Sequence, residues 1–172
     1  MNINSGSERF LKNPLYCLSS NKRIAYNICF DLIHKYRLGY GYSHCNNKKA
    51  VNYLETGLSS CDIQSGQTTL HIPFQNFIDE KWVTEEDEFW IDNILPASDD
   101  KHIAFFLRHL TDDGGVYTRL FFANTKEWNY WCALDTGMAS HACWLTPVQF
   151  GVWARQQTFV KSVSQSKWAN LF

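Results

Sequence analysis

The chain has 172 residues, a length that suits one domain with a single hydrophobic core. Its 16 Lys and Arg residues are balanced by 17 Asp and Glu residues, so it lacks the positive excess with which proteins bind nucleic acids or anionic membranes. No apolar run reaches the roughly 18 residues of a spanning helix, and the N-terminus lacks the pattern of a signal peptide. We therefore expect one cytoplasmic domain over 1–172, with a flexible start at 1–12, no nucleic-acid partner and no membrane span.

The six cysteines show no paired framework of the kind that disulfide-rich secreted domains carry. Reduced thiols beside apolar residues behave as small hydrophobic groups, which favours a reducing cytoplasm. Cys132, His141 and Cys143 offer three zinc ligands, but structural zinc sites need a fourth and this spacing matches no familiar pattern. We therefore expect isolated core thiols, no metal site and no tightly bound cofactor.

The first predicted element is a helix over residues 21–37 with Ser20 as its N-cap. Gly39 ends this helix, and an extended segment over 39–45 follows. Apolar residues recur every four positions along the helix and form a core-facing stripe: Ile24, Ile28, Leu32 and Tyr36.

Two stretches after this helix predict a connection and a strand. Residues 59–67 are polar and contain a glycine, which is typical of a surface connection. Residues 68–74 alternate apolar and polar side chains at their C-terminal end, which predicts a half-buried strand.

A short helix is predicted over residues 101–110, with Asp99 or Asp100 as its N-cap. His102 and His109 lie seven positions apart, hence on one face of such a helix. Solvation is a commoner role than metal ligation for a pair of this kind.

The C-terminal half continues with two strands and a helix. An Asp-Asp-Gly-Gly turn at 112–115 leads into a strand over 116–124, and a second strand follows over 127–134. Thr146 begins a capping box with a first-turn proline, which predicts a helix to about Lys161. Together the elements predict an α+β domain with a mixed, mostly antiparallel sheet flanked by helices.

The stretch from Trp82 to Asp99 sets one carboxylate, Asp92, inside a run that predicts a buried strand. Residues 89–95 have aromatic and β-branched character, and Pro96 ends the run by withholding a ladder donor. Burying an ionised carboxylate costs on the order of several kcal/mol unless it is paired or hydrogen-bonded. A buried Asp92 therefore has either a structural bond or a functional role; the alternative is that it points to the wet face or caps a neighbouring loop.

Two other short segments, residues 44–45 and 85–88, carry weaker indications of function. His44 and Cys45 are an imidazole and a thiol, but neighbours on a strand point to opposite faces, so only His44 alone is a candidate base. Residues 85–88 are all acidic, which is typical of the first turn of a helix or an exposed loop. The functional alternative for this run is a docking patch for a basic partner.

The pattern aromatic-Ile-Asp-x-Ile-x-Pro, with Trp82 eight residues before Trp90, resembles the central motif of the RTX toxin-activating lysine acyltransferases. The segment from Asn13 to Tyr16, Asn-Pro-Leu-Tyr, resembles the family's Ser-Pro-Leu-His segment. The resemblance covers residues 82–99 well and 13–126 loosely. It implies a GNAT-like fold and transfer of a fatty acyl group from an acyl carrier protein thioester to lysine ε-amines of a protoxin.

On this resemblance, Asp92 takes the place of the family's motif aspartate, while the catalytic histidine falls at Tyr16 and the serine at Asn13. The acceptor lysine titrates near ~10.4 and must lose a proton before it attacks the thioester. A base other than Tyr16 must then act with Asp92, and His44 and His71 are the candidates. Losing the base altogether lowers the rate by roughly 10²- to 10⁴-fold.

A second function comes from another class of protein. The missing histidine at Tyr16, the acidic run 85–88 and the many aromatic residues suit a small cytoplasmic interaction or inhibitor protein, of the kind that phages and other mobile elements encode. The two functions differ in one geometric feature, which is whether Asp92 faces a pocket beside a histidine.

Overall fold

The computed structural model describes residues 13–41 and 51–155, together with residues 6, 8, 10 and 11. Ten strands run in order along the described chain: β1 Cys17–Leu18, β2 Ile24–Asn27, β3 Gly57–Asp62, β4 Thr68–Pro73, β5 Phe89–Pro96, β6 His102–Leu110, β7 Val116–Asn124, β8 Tyr130–Gly137, β9 Ala139–Thr146 and β10 Gln149–Ala154. The helices there are α1 Phe30–Tyr36 and α2 Phe74–Asp79. Within these residues, no helix has the length and apolar character to cross a membrane.

The strands form two four-stranded sheets and a hairpin. The first sheet has the order β1-β2-β3-β4, the second has the order β5-β6-β7-β8, and β9 pairs with β10. Every pairing is antiparallel. The predicted, mostly antiparallel pairing is therefore confirmed, but the helices of the described residues are short. Helix α1 has seven residues and lies within the predicted helix 21–37, and α2, which was not predicted, has six. The described fold is mostly β rather than the expected GNAT-like α+β arrangement.

The second sheet lies between two hydrophobic clusters because its strands carry apolar side chains on both faces. Phe105 and Phe121 point to the cluster shared with the first sheet and the two helices. Phe106 and Phe122 point to the opposite cluster, which the hairpin β9–β10 covers with Phe150. Successive side chains of a strand alternate between faces, so a sheet covered on both sides has nearly continuous apolar strands.

This double burial explains why the helix predicted over 101–110 is wrong. The segment forms β6, and a short continuous apolar run does not distinguish a buried strand from a buried helix by periodicity. On a strand, His102 and His109 are an odd number of positions apart and therefore point to opposite faces, not to one face as a helix would place them.

The helix predicted over 21–37 is only partly present. Its first part is strand β2, and helix α1 occupies its end. Ile24 to Asn27 pair with β3. Residues 59–62 of the predicted surface connection belong to β3, so only 63–67 form the connection. Long-range pairing thus overrides the local four-residue period in both segments. The extended segment predicted over 39–45 lies largely outside the described residues, as does most of 1–12.

The helix predicted from Thr146 is also wrong over its described part. Thr146 ends β9, and a turn at Pro147 and Val148 leads into β10. The Val148 backbone N–H donates to Thr146 Oγ1 at 3.3 Å, so the side-chain bond expected of a helix cap stabilises a hairpin turn instead. The remaining predicted helical residues, 156–161, lie outside the described residues.

The other predicted strands are confirmed with shifted ends. The strand predicted over 68–74 is β4, and the one predicted over 116–124 is β7. The strand predicted over 127–134 is β8, displaced toward the C-terminus. The run that contains Asp92 is β5, an edge strand of the second sheet.

Candidate functional site

Asp92 lies in the middle of β5, where the strand is irregular. The register of β5 on β6 shifts between Asp92 and Leu95, and Asn93 between them has a φ of 52°. Asn tolerates this left-handed conformation better than most residues. The irregularity forms a bulge after Asp92, and the Asp92 side chain is only 3% exposed.

Two arginines and a tryptophan surround the Asp92 carboxylate. Arg37, just after α1, places Nη1 2.7 Å from Oδ2, and Arg108 on β6 places Nε 2.8 Å from Oδ1. The Trp90 indole N–H also donates to Oδ2, at 3.3 Å. Arg108 is held in turn by donation from Nη1 to the buried Thr118 hydroxyl at 3.0 Å. Both carboxylate oxygens are therefore occupied by cationic or indole donors.

This environment gives Asp92 a structural task. The carboxylate joins the edge strand β5 to its neighbour β6 and to the end of α1, so one side chain fixes three elements. Charge-assisted hydrogen bonds of this kind are stronger than neutral ones. Among the hydrogen bonds of the described residues, none joins Asp92 to a histidine. A catalytic role for Asp92 stays a prediction.

Tyr16, which stands where the resemblance expects a histidine, lies beside the bulge. The Asn93 backbone N–H donates to Tyr16 Oη at 3.0 Å. Burial, more than any other effect, raises the pKa of Tyr16, and the negative charge of Asp92 raises it further. Tyr16 thus lies beside the bulge that follows Asp92, and its phenol is protonated at neutral pH.

His71, a predicted candidate base, lies on β4 in the first sheet, with different partners. Its Nε2 is 2.7 Å from Ser60 Oγ, and its ring stacks on Trp128 with 3.7 Å between ring centroids. Desolvation by burial lowers the pKa of His71 to about 4. His44, the other candidate base, lies outside the described residues.

The lowered pKa of His71 predicts a pH-dependent stability. Because the folded protein disfavours the charged imidazole, the unfolded state binds more protons between the ordinary pKa of 6.5 and about 4. The free energy of unfolding should therefore fall as the pH is lowered through this range and be insensitive to His71 above it. Urea titrations from pH 7 to pH 4 should show a smaller decrease for His71→Gln than for the unmodified chain. Equal pH slopes for the two proteins would contradict the assignment.

The cysteines and histidines form no recognisable metal centre in the described residues, where no group of three or more His, Cys, Asp or Glu side chains is placed to hold a metal ion. Cys17, Cys29, Cys61, Cys132 and Cys143 are free thiols. Burial raises the pKa of both Cys17 and Cys132 to about 12, which leaves these two thiols protonated and unreactive at neutral pH.

A cleft of about 540 Å³ lies beside the first sheet. Its described wall includes the buried Asn27, Asp31 at the start of α1, and Ser59 on β3. Asp31 Oδ1 is buried without a hydrogen-bond partner among the described residues. Asn13, where the resemblance places the family's serine, lines the cleft, whereas Tyr16, His71 and Asp92 are not among its described lining residues.

The sequence did not predict the exposed apolar side chains on the outward face of the hairpin β9–β10. Leu145 is 66% exposed, Val148 in the turn is 62% exposed, and Trp153 is 68% exposed. Cys143 lies on the same face, opposite Gly151. The inward side chains Trp144 and Phe150 pack on the second sheet. Inward-facing residues alternate with outward-facing ones along both strands of this hairpin. The capping box at Thr146 predicted a helix instead, so the hairpin was not predicted.

An acidic rim borders one end of the second sheet. Phe89 pairs with His109, and Thr118 with Gly137, so the residues before β5, the β6–β7 turn and the β8–β9 connection share this end. Exposed carboxylates lie there in both the predicted acidic run and the turn: Glu85, Glu86, Asp112 and Asp113. The run 85–88 is thus an exposed loop, one of the two predicted settings, and Glu88 pairs with Lys35 at 2.7 Å.

Trp153 lies at the end of the outward hairpin face that is nearer the acidic rim. It pairs with Ser140, close to the β8–β9 connection and therefore near the rim. Leu145 and Val148 lie at the other end of the hairpin, next to the β9–β10 turn. The hairpin therefore presents exposed apolar side chains near both of its ends, with carboxylates near the Trp153 end.

Comparisons of this chain with protein-family models, with curated proteins and with solved structures gave no match. The resemblance to the toxin-activating acyltransferases accordingly rests on two sequence segments, the motif around Asp92 and the segment from Asn13 to Tyr16.

Proposed function

We propose that this protein is a binding protein that recognises a protein partner through the outward face of the hairpin β9–β10. The observation that carries the proposal is the exposure of Leu145 and Trp153 on the outward face of a hairpin whose other face packs on the second sheet, and of Val148 in its turn. Exposed apolar groups that lie together mark interaction sites more often than scattered ones, and tryptophan is enriched among residues that dominate binding energy.

The charges near this face define the chemistry of the partner. The acidic rim at the Trp153 end includes Glu85 and Asp112, and Arg155 after β10 is an exposed cation nearby. A partner surface with an apolar strip and Lys or Arg side chains at one end would complement this arrangement. Such charges mainly speed association and set orientation, while the buried apolar contacts supply most of the affinity.

The acyl-transfer function remains a prediction from the sequence resemblance, with an acyl carrier protein thioester as donor and a lysine-bearing protein as acceptor. Its predicted residues Asp92 and His71 are in different sheets and share no hydrogen bond. The contacts of Asp92 favour the binding function because they hold β5, β6 and α1 together and leave both carboxylate oxygens occupied.

Site-specific photo-cross-linking tests the proposed function. A photoreactive amino acid at Val148 of the full chain should cross-link to a defined protein in the cells that naturally express it. The same probe at Leu54, which is 65% exposed on a segment before β3, is the matched control and should not form that product. The cross-linked peptide of the partner should contain apolar residues beside Lys or Arg.

Affinity measurements on the purified pair complete the test. Trp153→Ala should weaken binding by about 30-fold and Leu145→Ser should weaken it as well, whereas Leu54→Ser should leave Kd unchanged. All three side chains are exposed, so thermal stability should barely change. The proposal fails if both probe positions capture the same proteins, if Trp153→Ala binds normally, or if the only product is a dimer of this chain.

A further inference from the structure

Ser60 and His71 form a close hydroxyl–imidazole pair that the proposed binding function does not involve. Ser60 Oγ lies 2.7 Å from His71 Nε2, within the distance expected between a nucleophile and its base. The two residues lie on the neighbouring strands β3 and β4. The register passes from Leu58 opposite Ile72 to Ser59 opposite Leu70, which leaves His71 as the extra residue of a bulge. Bulges re-aim side chains and occur often beside active sites.

Trp128, in the connection between β7 and β8, holds the His71 ring in place. The two rings are nearly parallel, at 9°, and the Tyr26 ring meets Trp128 edge-on with centroids 6.2 Å apart. Trp128 has a φ of 60°, a conformation that is strained for a bulky side chain. Its backbone N–H donates to Asn124 O at 3.1 Å, which anchors the loop in this conformation. The stack restricts rotation of the imidazole and keeps Nε2 directed at Ser60.

His71 carries no charge at neutral pH, so its ring nitrogen is free of the extra proton. Because burial lowers its pKa to about 4, the imidazole is neutral at neutral pH and accepts a proton at Nε2 when its own hydrogen is on Nδ1. Ser60 and His71 are both partly exposed to solvent, as a site for a small reagent requires.

We propose that Ser60 is a nucleophile that accepts an acyl group from activated esters or thioesters, with His71 as its general base. The Ser60 O–H bond breaks as its proton moves to His71 Nε2, and Oγ forms a bond to the acyl carbon. The bond from that carbon to the alkoxide or thiolate then breaks, and His71 returns the proton to the departing oxygen or sulfur. The products are an acyl ester of Ser60 and a free alcohol or thiol.

The test uses 4-nitrophenyl acetate on the full chain at neutral pH, followed by intact-mass and peptide mass spectrometry. We expect one acetyl group on Ser60. Ser60→Ala should lose this adduct, and His71→Gln should slow its formation by about 100-fold, in the range that general bases contribute. Ser59→Ala is the matched control, because Ser59 is the adjacent, partly buried serine but lines the cleft instead. It should react like the unmodified chain.

Each possible result decides the proposal. Mapping the acetyl group on the unmodified chain gives the site directly, even if Ser60→Ala folds poorly in thermal unfolding. No acetyl group on Ser60, or an equal rate of Ser60 acetylation in His71→Gln, would overturn the assignment. Acetylation confined to lysines would likewise show that the pair is only a structural hydrogen bond. None of these outcomes depends on binding at Leu145 or Trp153, so the test is independent of the proposed function.

Discussion

Replacement of Asp92 with alanine is expected to lower the free energy of unfolding by about 3–5 kcal/mol, the usual result of removing one partner from a buried ion pair. The loss arises because Arg108, whose side chain is 12% exposed, keeps its charge without its carboxylate. Arg37 is 29% exposed and reaches water more readily, so Arg108 should account for most of the effect. Urea unfolding followed by tryptophan fluorescence measures this difference.

A matched variant and a double variant separate the buried charge from a general effect of losing an aspartate. Asp112→Ala removes an exposed carboxylate in the β6–β7 turn and should change stability by no more than about 0.5 kcal/mol. Combining Asp92→Leu with Arg108→Met should recover part of the loss seen for Asp92→Leu, because it removes both buried charges. A loss at Asp92 no larger than that at Asp112 would show that the ion pairs contribute little.

Phe121→Ala is expected to destabilise the protein by about 3–5 kcal/mol through the cavity that it leaves. Phe121 on β7 is fully buried, and its ring contacts Phe77 of α2 at 5.5 Å, Trp82 at 5.3 Å and Phe105 of β6 at 5.6 Å between centroids. These rings come from separate elements, so the cavity weakens the contact between α2 and the second sheet. Thermal or urea unfolding gives the measurement.

The control for Phe121→Ala is an aromatic truncation on the surface. Trp153→Ala removes a larger ring that is 68% exposed and should cost little stability, even though it is expected to weaken partner binding by about 30-fold. If the two variants lost similar stability, then either Trp153 would pack against further residues or the ring cluster around Phe121 would be less tight than it is here.

The local sequence around Asp92 predicted its strand but not its partners. Aromatic and β-branched residues with a terminal proline predicted β5, and the cost of burying a carboxylate predicted that Asp92 would be bonded or functional. The identity of its partners was not predictable in the same way. Arg37 and Arg108 are 55 and 16 positions away along the chain, and no periodicity relates them to Asp92.

The wrong helices share one physical cause. The segment 101–110 is apolar on both faces because two clusters cover the second sheet, and a strand buried on both sides lacks the alternation that identifies strands. The capping pattern at Thr146 is a real hydrogen-bonding preference, but the same bond forms in a turn. In both segments the local signal permits two conformations, and tertiary contacts choose between them.

Local chemistry was sufficient to predict strands at β4, β5 and β7, an acidic run at 85–88 in a loop or a first helix turn, and a carboxylate, Asp92, within a strand. The partners of Asp92, the cover on both faces of the second sheet and the contact of Ser60 with His71 depend on the tertiary structure. The exposure of Leu145 and Trp153 depends on it as well. Pairing between strands distant along the chain sets these contacts, and the energy of such pairing depends on neighbours that no short window of sequence contains.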